Sequence, residues 1–596
     1  LRTQVLHGPN PCALAQVVVC ELEVTKPPVP LQDVWHVLTT ACPSWAFREP
    51  ALRADTQEAA DANHLLAHWV MEWALAALNE VRGCVREGGV RPMGPGRSLI
   101  WVGFHHPQVT LAAIRMAMSV VGLACRNEQP FPHAAMTSDL DKLWLACRRW
   151  HPDYQARILI VAARTKDVPF LPLGTGNERM WQFGWGKRSR VFFESRSNED
   201  GVLGQQIARS KVASKAFLRG LGFPVAAQGL VTRAEELPGA AAAVGWPCVA
   251  KPVDKGGGQG VTAGIRDMPD LELAFAHARR FTQGPVMVEA FIEGDDHRLM
   301  VVDGHLVAAV RRDPPQVVGD GQRSVRSLID ALNLGRGANL VASNYRRAVK
   351  MDDVVMARLR QQGLDLDGVP GMGQCVWLRS NSNLSTGGSC TDVTARVHKD
   401  VQRMAEAIAT SLGLATCGVD YITTDISRPW RDTGGVVIEV NTTPGMEAAI
   451  AAGVDEVLVG TQVLGSLPGR LPVVLLVAPA SLQRAWLPRL RAEAARRPGW
   501  AWRCSGESGV GDLPVGSAGR PLYDCVAMLQ RNRLTDSLLV VCTSAELQTE
   551  GVPVDRVDRV LVCQQDIPAP WMGVLGKVAP SVLQLDDPAA AWAACL

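Results

Sequence analysis

The sequence predicts a mixed α/β and α+β protein of several domains. Three observations carry that expectation. The chain has 596 residues, too many for one hydrophobic core, so roughly three or four domains are expected. Short apolar strand-like runs are interleaved with helical stretches along it. The stretch from Gly418 to Asn441 reads as two apolar strands joined by a turn rich in Pro, Arg and Gly, a hairpin. Period-two alternation places Glu439 and Asn441 on one face of the second strand, where Asp420 of the first can meet them. Two carboxylates and an amide oxygen converging there suit a hard divalent cation such as Mg²⁺ carrying nucleotide phosphates. A core hairpin with edge polar residues is the alternative.

Composition narrows the class. Hydrophobic residues make up 47% and charged residues 20%, ordinary for a globular protein, and the formal charge of +2 argues neither for nor against nucleic acid or an anionic membrane. Fifteen cysteines without any Cys-x-x-Cys pair favour a reducing compartment over a disulfide framework. No uninterrupted apolar run reaches membrane-spanning length, and the N-terminus lacks a basic-then-apolar signal.

Residues 1–190 are expected as an α+β unit, with a strand at 17–24 and a helix over about 56–82. His64, His68 and Glu72 recur every four residues on that helix, a zinc-ligand spacing. Ala67 stands where the inverted His-x-x-Glu-His pattern has its general base, so no hydrolysis is expected. Ordinary helix-face residues are the competing reading. The run at 171–204, rich in Gly, aromatics and Arg (Gly174-Thr175-Gly176-Asn177 among them), is a strand and turn or a plain connector.

Residues 191–465 form the second unit. A helix carries Lys211 and Lys215 on one face, and a short buried strand ends in Lys251. Lys255, Gly256, Gly257, Gly258 and Gly260 follow. Consecutive glycines let backbone N–H groups cradle phosphate oxygens, and a strand-end Lys adds a point charge. Glu289 closes the next apolar strand, where a carboxylate can accept from a ribose or base. Arg298 and Arg312 bracket two further strands, and fixed guanidinium groups suit developing phosphoryl charge. Arg379 opens a small hydroxyl-rich loop through Ser385, suited to a carboxylate or a phosphate. Each feature alone also has a plain reading as a surface charge or turn; their order is what tells.

That order resembles an ATP-grasp ligase, and more narrowly the cyanophycin synthetase family. The resemblance rests on Asp296-His297-Arg298, Val301-Val302-Asp303-Gly304, Leu384-Ser385-Thr386-Gly387-Gly388, Gly418-Val419-Asp420, Ile426-Ser427-Arg428-Pro429 and Glu439-Val440-Asn441. It runs from about 171 to 446, with a looser likeness at Gly8-Pro9-Asn10 and the His64 helix. It implies a central ATP-grasp fold using ATP and Mg²⁺. Lys215 and Lys251, with the glycine loop, would bind phosphates and Glu289 the adenosine. Asp420, Glu439 and Asn441 would hold Mg²⁺; Arg298, Arg312 and Arg379 would lie near an acyl-phosphate, with Ser385 in the peptide-binding loop. Gln259 and Asp295 stand where the family tends to be basic.

By the same resemblance, residues 466–596 would be a truncated Mur-ligase-like α/β domain. Its phosphate loop has become Ala478-Pro479-Ala480-Ser481-Leu482-Gln483, without glycine or lysine, so no phosphate binding is expected. The family's shortened second type would then polymerise β-aspartyl-arginine dipeptides onto a cyanophycin chain. The implied setting is a cytoplasmic homo-oligomer, dimer or tetramer, without nucleic acid or membrane. A ligase for another amino acid or dipeptide, and a non-catalytic partner of a full-length synthetase, are the alternatives.

Overall fold

Strands Thr416–Thr423 and Val436–Asn441 pair antiparallel, with Asp420 opposite Glu439 and Gly418 opposite Asn441. The connection expected as a turn contains a one-turn helix, Trp430–Thr433, closed by Gly434 at φ +64°. The computed structural model describes all residues except 1, 24–28, 42–58, 127–132, 175–178, 257, 335, 337–346, 468, 518, 564–565 and 596. Gly257 and the run Thr175 to Asn177 therefore lie outside the described residues. The chain divides into two units, one made of 1–191 with 466–596, the other of 192–465.

The 192–465 unit has two main sheets. One is antiparallel, ordered Thr262–Ile265, Cys248–Pro252, Val286–Ala290, Gln228–Val231. Helices Leu237–Val244 and Met268–Arg279 supply Leu237, Ala240, Leu271 and Phe275 to its core. The other is a five-stranded antiparallel sheet, ordered Ser389–Asp392, His305–Asp313, Asp295–Val302, Thr416–Thr423, Val436–Asn441. Alternation along Thr416–Thr423 sends Cys417, Val419 and Tyr421 into a core with helix Lys399–Leu412 and leaves Asp420 on the opposite face. Full burial of an aliphatic side chain such as Val419 contributes roughly 1.5–3 kcal/mol. A smaller module, with strands Gln316–Val318 and Cys375–Trp377 and helices Val325–Asn333 and Asp353–Gln361, closes over its own core.

In the other unit, strand Val17–Glu23 pairs antiparallel with Arg2–Leu6 and Arg97–Gly103. Its two faces go to different cores. Val18 and Cys20 pack with helices Ala59–Glu80 and Pro107–Arg126, whereas Val17 and Val19 pack with Leu471, Leu475, Val540 and Val560. Helix Pro107–Arg126 is long and apolar enough by composition to cross a membrane. Arg115 interrupts its apolar run. Its Ala113, Ile114, Ala117 and Val121 are buried in the first of these cores. The C-terminal segment is a seven-stranded sheet in which Trp500–Cys504, Ser537–Cys542, Val473–Val477, Arg559–Val562 and Val582–Gln584 run parallel.

Candidate functional site

Helix Lys211–Gly220 starts where the Ser210 hydroxyl accepts from the Ala213 N–H at 3.2 Å. Lys211 and Lys215 sit one turn apart on its inner face. Lys251 lies on strand Cys248–Pro252, whose Val249 is directly opposite Glu289. Lys251 and Glu289 are therefore diagonal neighbours on one face. Lys215 and Lys251 ion-pair with Glu289, one to each carboxylate oxygen, and all three are buried. Burial first, and then the Lys251 charge, push the Lys215 ammonium down to about 6, with Glu439 opposing. Burial pushes Lys251 down to about 8, again against Glu439. Two buried lysines thus share one carboxylate, Glu289, as their nearest counter-charge.

Lys211 Nζ donates to the Lys255 carbonyl at 3.1 Å and ion-pairs with Glu439 at 3.4 Å. That ties the glycine loop to the hairpin. Gly258 and Gly260 have φ of +79° and +69°, the left-handed region that favours glycine. A Cβ on Gly260 would come within 2.9 Å of both Phe281 and Pro252. Gly256 is exposed, and a Cβ on Gly258 would face Asn381 at 3.6 Å.

Arg298 is directly opposite Asp420 in the sheet, and Arg312 is opposite Asp296. Both guanidinium groups converge on Asp420. Arg298 engages both carboxylate oxygens, and Arg312 Nη2 reaches Asp420 at 3.1 Å while also donating to Asp296 at 2.6 Å. Burial pushes the Asp420 carboxyl up, but Arg298 and Arg312 outweigh it and hold the group below the ordinary carboxylate range. Asp420 stays ionised as a result. Glu439 faces it across the strand pair. Asn441 lies two residues on, its buried Nδ2 without a hydrogen-bond partner, so the amide is uncommitted and able to present its oxygen. Two carboxylates and an amide are donors of the type a hard divalent cation takes, and here Asp420 is shared with the guanidinium groups of Arg298 and Arg312 and Glu439 with Lys211.

Arg379 and Ser385 are placed differently. Arg379 Nη2 donates to Asp352 at 2.5 Å and to the Lys350 carbonyl at 3.3 Å, rather than to the Asp420 cluster. Asp352 caps helix Asp353–Gln361, so Arg379 fastens that helix to the loop. Ser385 is exposed in the single turn Leu384–Thr386. Sequence reasoning assigned no role to Lys211, Asp296 or Ser382. For Asp296 a signal existed, since it shares the strand face of Arg298 at period two.

His68 Nε2 meets Glu72 at 3.7 Å on the helix face, and among the described residues no group of three or more His, Cys, Asp or Glu is arranged to hold a metal. After strand Val473–Val477 only Ala478 and Pro479 precede helix Ala480–Ala494. Most of the run read as a degenerate loop is therefore helix. Gln483 is buried there, donating to the Ala478 carbonyl at 2.9 Å and accepting from Ser505 N–H at 3.0 Å.

A family model described as prokaryotic glutathione synthetase, ATP-grasp domain, matches residues 221–376. It takes in Lys251, the glycine loop, Glu289, Arg298 and Arg312. A cyanophycin synthetase of Crocosphaera subtropica is 30% identical over 466 residues, 76% of this chain and 53% of its own length. One from Geminocystis herdmanii is 33% identical over 296 residues, 49% of this chain and 34% of its own. The glutathione biosynthesis bifunctional protein GshAB of Pasteurella multocida is 31% identical over 260 residues, 42% and 34% of the two chains. Among solved structures, a bifunctional glutathione synthetase from Pasteurella multocida matches 60% of this chain and 52% of its own, at 23% identity and a TM-score of 0.42. The chain spans about half the length of the curated relatives it matches. It is a mixed α/β multidomain protein with an ATP-grasp domain, homologous to cyanophycin synthetases.

Proposed function

We propose that this homologue of cyanophycin synthetases is an ADP-forming carboxylate–amine ligase that joins β-aspartyl-arginine dipeptides to a cyanophycin chain. The observation carrying this reading is the meeting, within one unit, of the Lys215–Glu289–Lys251 group and the Asp420–Glu439–Asn441 face, linked through Lys211. Lys215 and Lys251 bind phosphate oxygens, which replace the Glu289 carboxylate as their counter-charge. Glu289 is then available to accept from the adenosine. Asp420, Glu439 and Asn441 would hold Mg²⁺, which when bound neutralises phosphate charge.

The chain's terminal α-carboxylate attacks the γ-phosphorus of ATP, the bond to the ADP oxygen breaks, and an acyl-phosphate forms. The α-amine of the next dipeptide then attacks the acyl carbon. Arg298, fixed by Asp420, stabilises the oxyanion of the tetrahedral intermediate. Phosphate leaves with the bonding pair, and the amine's proton passes to solvent. A dipeptide substrate is carried over from the resemblance to the family's shortened second type, and the Ala478–Gln483 run, mostly helix with Gln483 buried in it, lacks the glycines and lysine of a phosphate loop. The reading expects a cytoplasmic homo-oligomer, in keeping with the free thiols of the described cysteines.

Incubation with ATP, Mg²⁺ and β-aspartyl-arginine releases phosphate and yields polymer in this reading. Polymer from free Asp and Arg alone would overturn the dipeptide assignment, and phosphate release only with a different dipeptide would redirect it.

A further inference from the structure

We propose that Asp296 and Ser382 are positioning residues: they latch the loop carrying Ser385 to the sheet that carries Asp420, and so set affinity for the carboxylate substrate rather than for the nucleotide. The inference rests on the ligase reading above and goes further, to residues that neither the phosphate contacts nor the cation face uses.

The loop 381–388 is closed on itself. Thr386 Oγ1 donates to Asn381 Oδ1 at 2.5 Å and to the Asn383 carbonyl at 2.9 Å, and the N–H groups of Thr386 and Gly388 both reach that same carbonyl at 3.0 Å. Gly387 sits at φ +95°, and a Cβ there would lie 2.5 Å from Val349. The block is tied by Arg336 Nη1, which donates to the Gly387 carbonyl at 2.6 Å, and by running on into strand Ser389–Asp392; neither tie reaches the residues before Ser385. A third tie is the buried Ser382, whose hydroxyl donates to Asp296 Oδ2 at 2.5 Å. The other oxygen of Asp296 accepts from Arg312 at 2.6 Å, and Arg312 reaches Asp420 at 3.1 Å.

An unbroken run of charge-assisted bonds therefore joins the loop to the carboxylate at the centre of the site. Ser382 is buried and Ser385 exposed: the anchor points inward, and the hydroxyl suited to a carboxylate points outward. Removing the anchor leaves Ser385 intact but lets its loop shift. Misplacement by about 1 Å is enough to cost on the order of 10²-fold in rate.

The test uses the full chain with Ser382→Ala, Ser382→Thr and Asp296→Asn. Phosphate release is measured with ATP, Mg²⁺ and β-aspartyl-arginine substrates, and affinity for a non-hydrolysable ATP analogue by calorimetry. Amide hydrogen exchange is followed at residues 383–388. Ser382→Ala is expected to lower kcat/KM for the peptide substrate about 10- to 100-fold, with the change carried by KM, to leave nucleotide affinity within about twofold, and to speed exchange in the loop. Ser382→Thr, which keeps the hydroxyl, restores both. Asp296→Asn follows Ser382→Ala. Unchanged peptide KM in Ser382→Ala, equal defects in Ser382→Ala and Ser382→Thr, or a matching loss of nucleotide affinity overturns the proposal. If the wild-type chain releases no phosphate with these peptides, the ligase assignment fails separately. Exchange at 383–388 that Ser382→Ala leaves unchanged then overturns the latch on its own.

Discussion

Strands Cys248–Pro252 and Val473–Val477 are both short, buried and apolar, and a reader of the sequence alone would look for phosphate beyond each. They end differently. Beyond the first come Lys255 and an exposed loop whose Gly258 and Gly260 take left-handed backbone, with Lys211, Lys215 and Lys251 close by. Beyond the second, two residues lead straight into a helix, and Gln483 fills the crest. Both places have a strand, a connection and a helix or loop. The first gathers lysines, left-handed glycines and a carboxylate face, whereas the second packs the Gln483 side chain into the start of a helix. In the proposed reading, phosphate binding at the first is owed to those groups and not to strand–helix topology.

The largest expected effect breaks the first region. Glu439→Gln removes one carboxylate of the cation face, and phosphate release in the presence of peptide should fall by at least about 10²-fold, with the fold intact by circular dichroism. Activity within a factor of a few of wild type would remove the cation assignment. Next comes Lys251→Met, which takes away one ammonium. A buried charge-assisted contact of this kind contributes about 1.5–3 kcal/mol, so nucleotide affinity measured by calorimetry should fall roughly 10- to 100-fold.

A smaller effect is set by pH. Lys215 and Lys251 are held at about 6 and about 8, below the roughly 10.4 of an unfolded Lys. Between those values the unfolded chain binds more protons than the folded one, so stability of the nucleotide-free protein rises with pH across that window. Phosphate favours the charged lysines, so nucleotide binding takes up protons and weakens as pH climbs through about 8. Calorimetry near pH 8 in two buffers of different ionisation enthalpy measures the uptake; a zero or negative value contradicts it.

The smallest effect on activity is expected in the second region. Gln483→Ala leaves Ser505 N–H and the Ala478 carbonyl without their partner. It should cost about 1–3 kcal/mol in denaturant unfolding while ligase turnover per folded molecule stays unchanged. A loss of turnover would show that the crest takes part in the reaction.

How much of this was legible in the sequence depended on distance along the chain. Asp420, Glu439 and Asn441 could be grouped because alternation and antiparallel pairing are local rules, and the observed register matches them. Lys251 and Glu289 were visible as strand-end charges. That Lys215 and Lys251 share Glu289 was not visible, because how the helix carrying Lys215 docks on the sheet is set by tertiary packing. Arg379 reads as a substrate group because it is a guanidinium beside a hydroxyl-rich loop, and its pairing could not be read in the same way. Its partner Asp352, a helix cap 27 residues away in sequence, is fixed by the small module's fold. The run Val17-Val18-Val19-Cys20 announced a strand apolar on both faces. Nothing in it said that one face would be covered from beyond residue 466.

The most direct test is photo-crosslinking of the full chain with azido-ATP and Mg²⁺, followed by peptide mapping. The account predicts labelling confined to peptides spanning 211–289 and 418–441, abolished by excess ATP. Label on the peptide containing Gln483 and Ser505, competed by ATP, would contradict it.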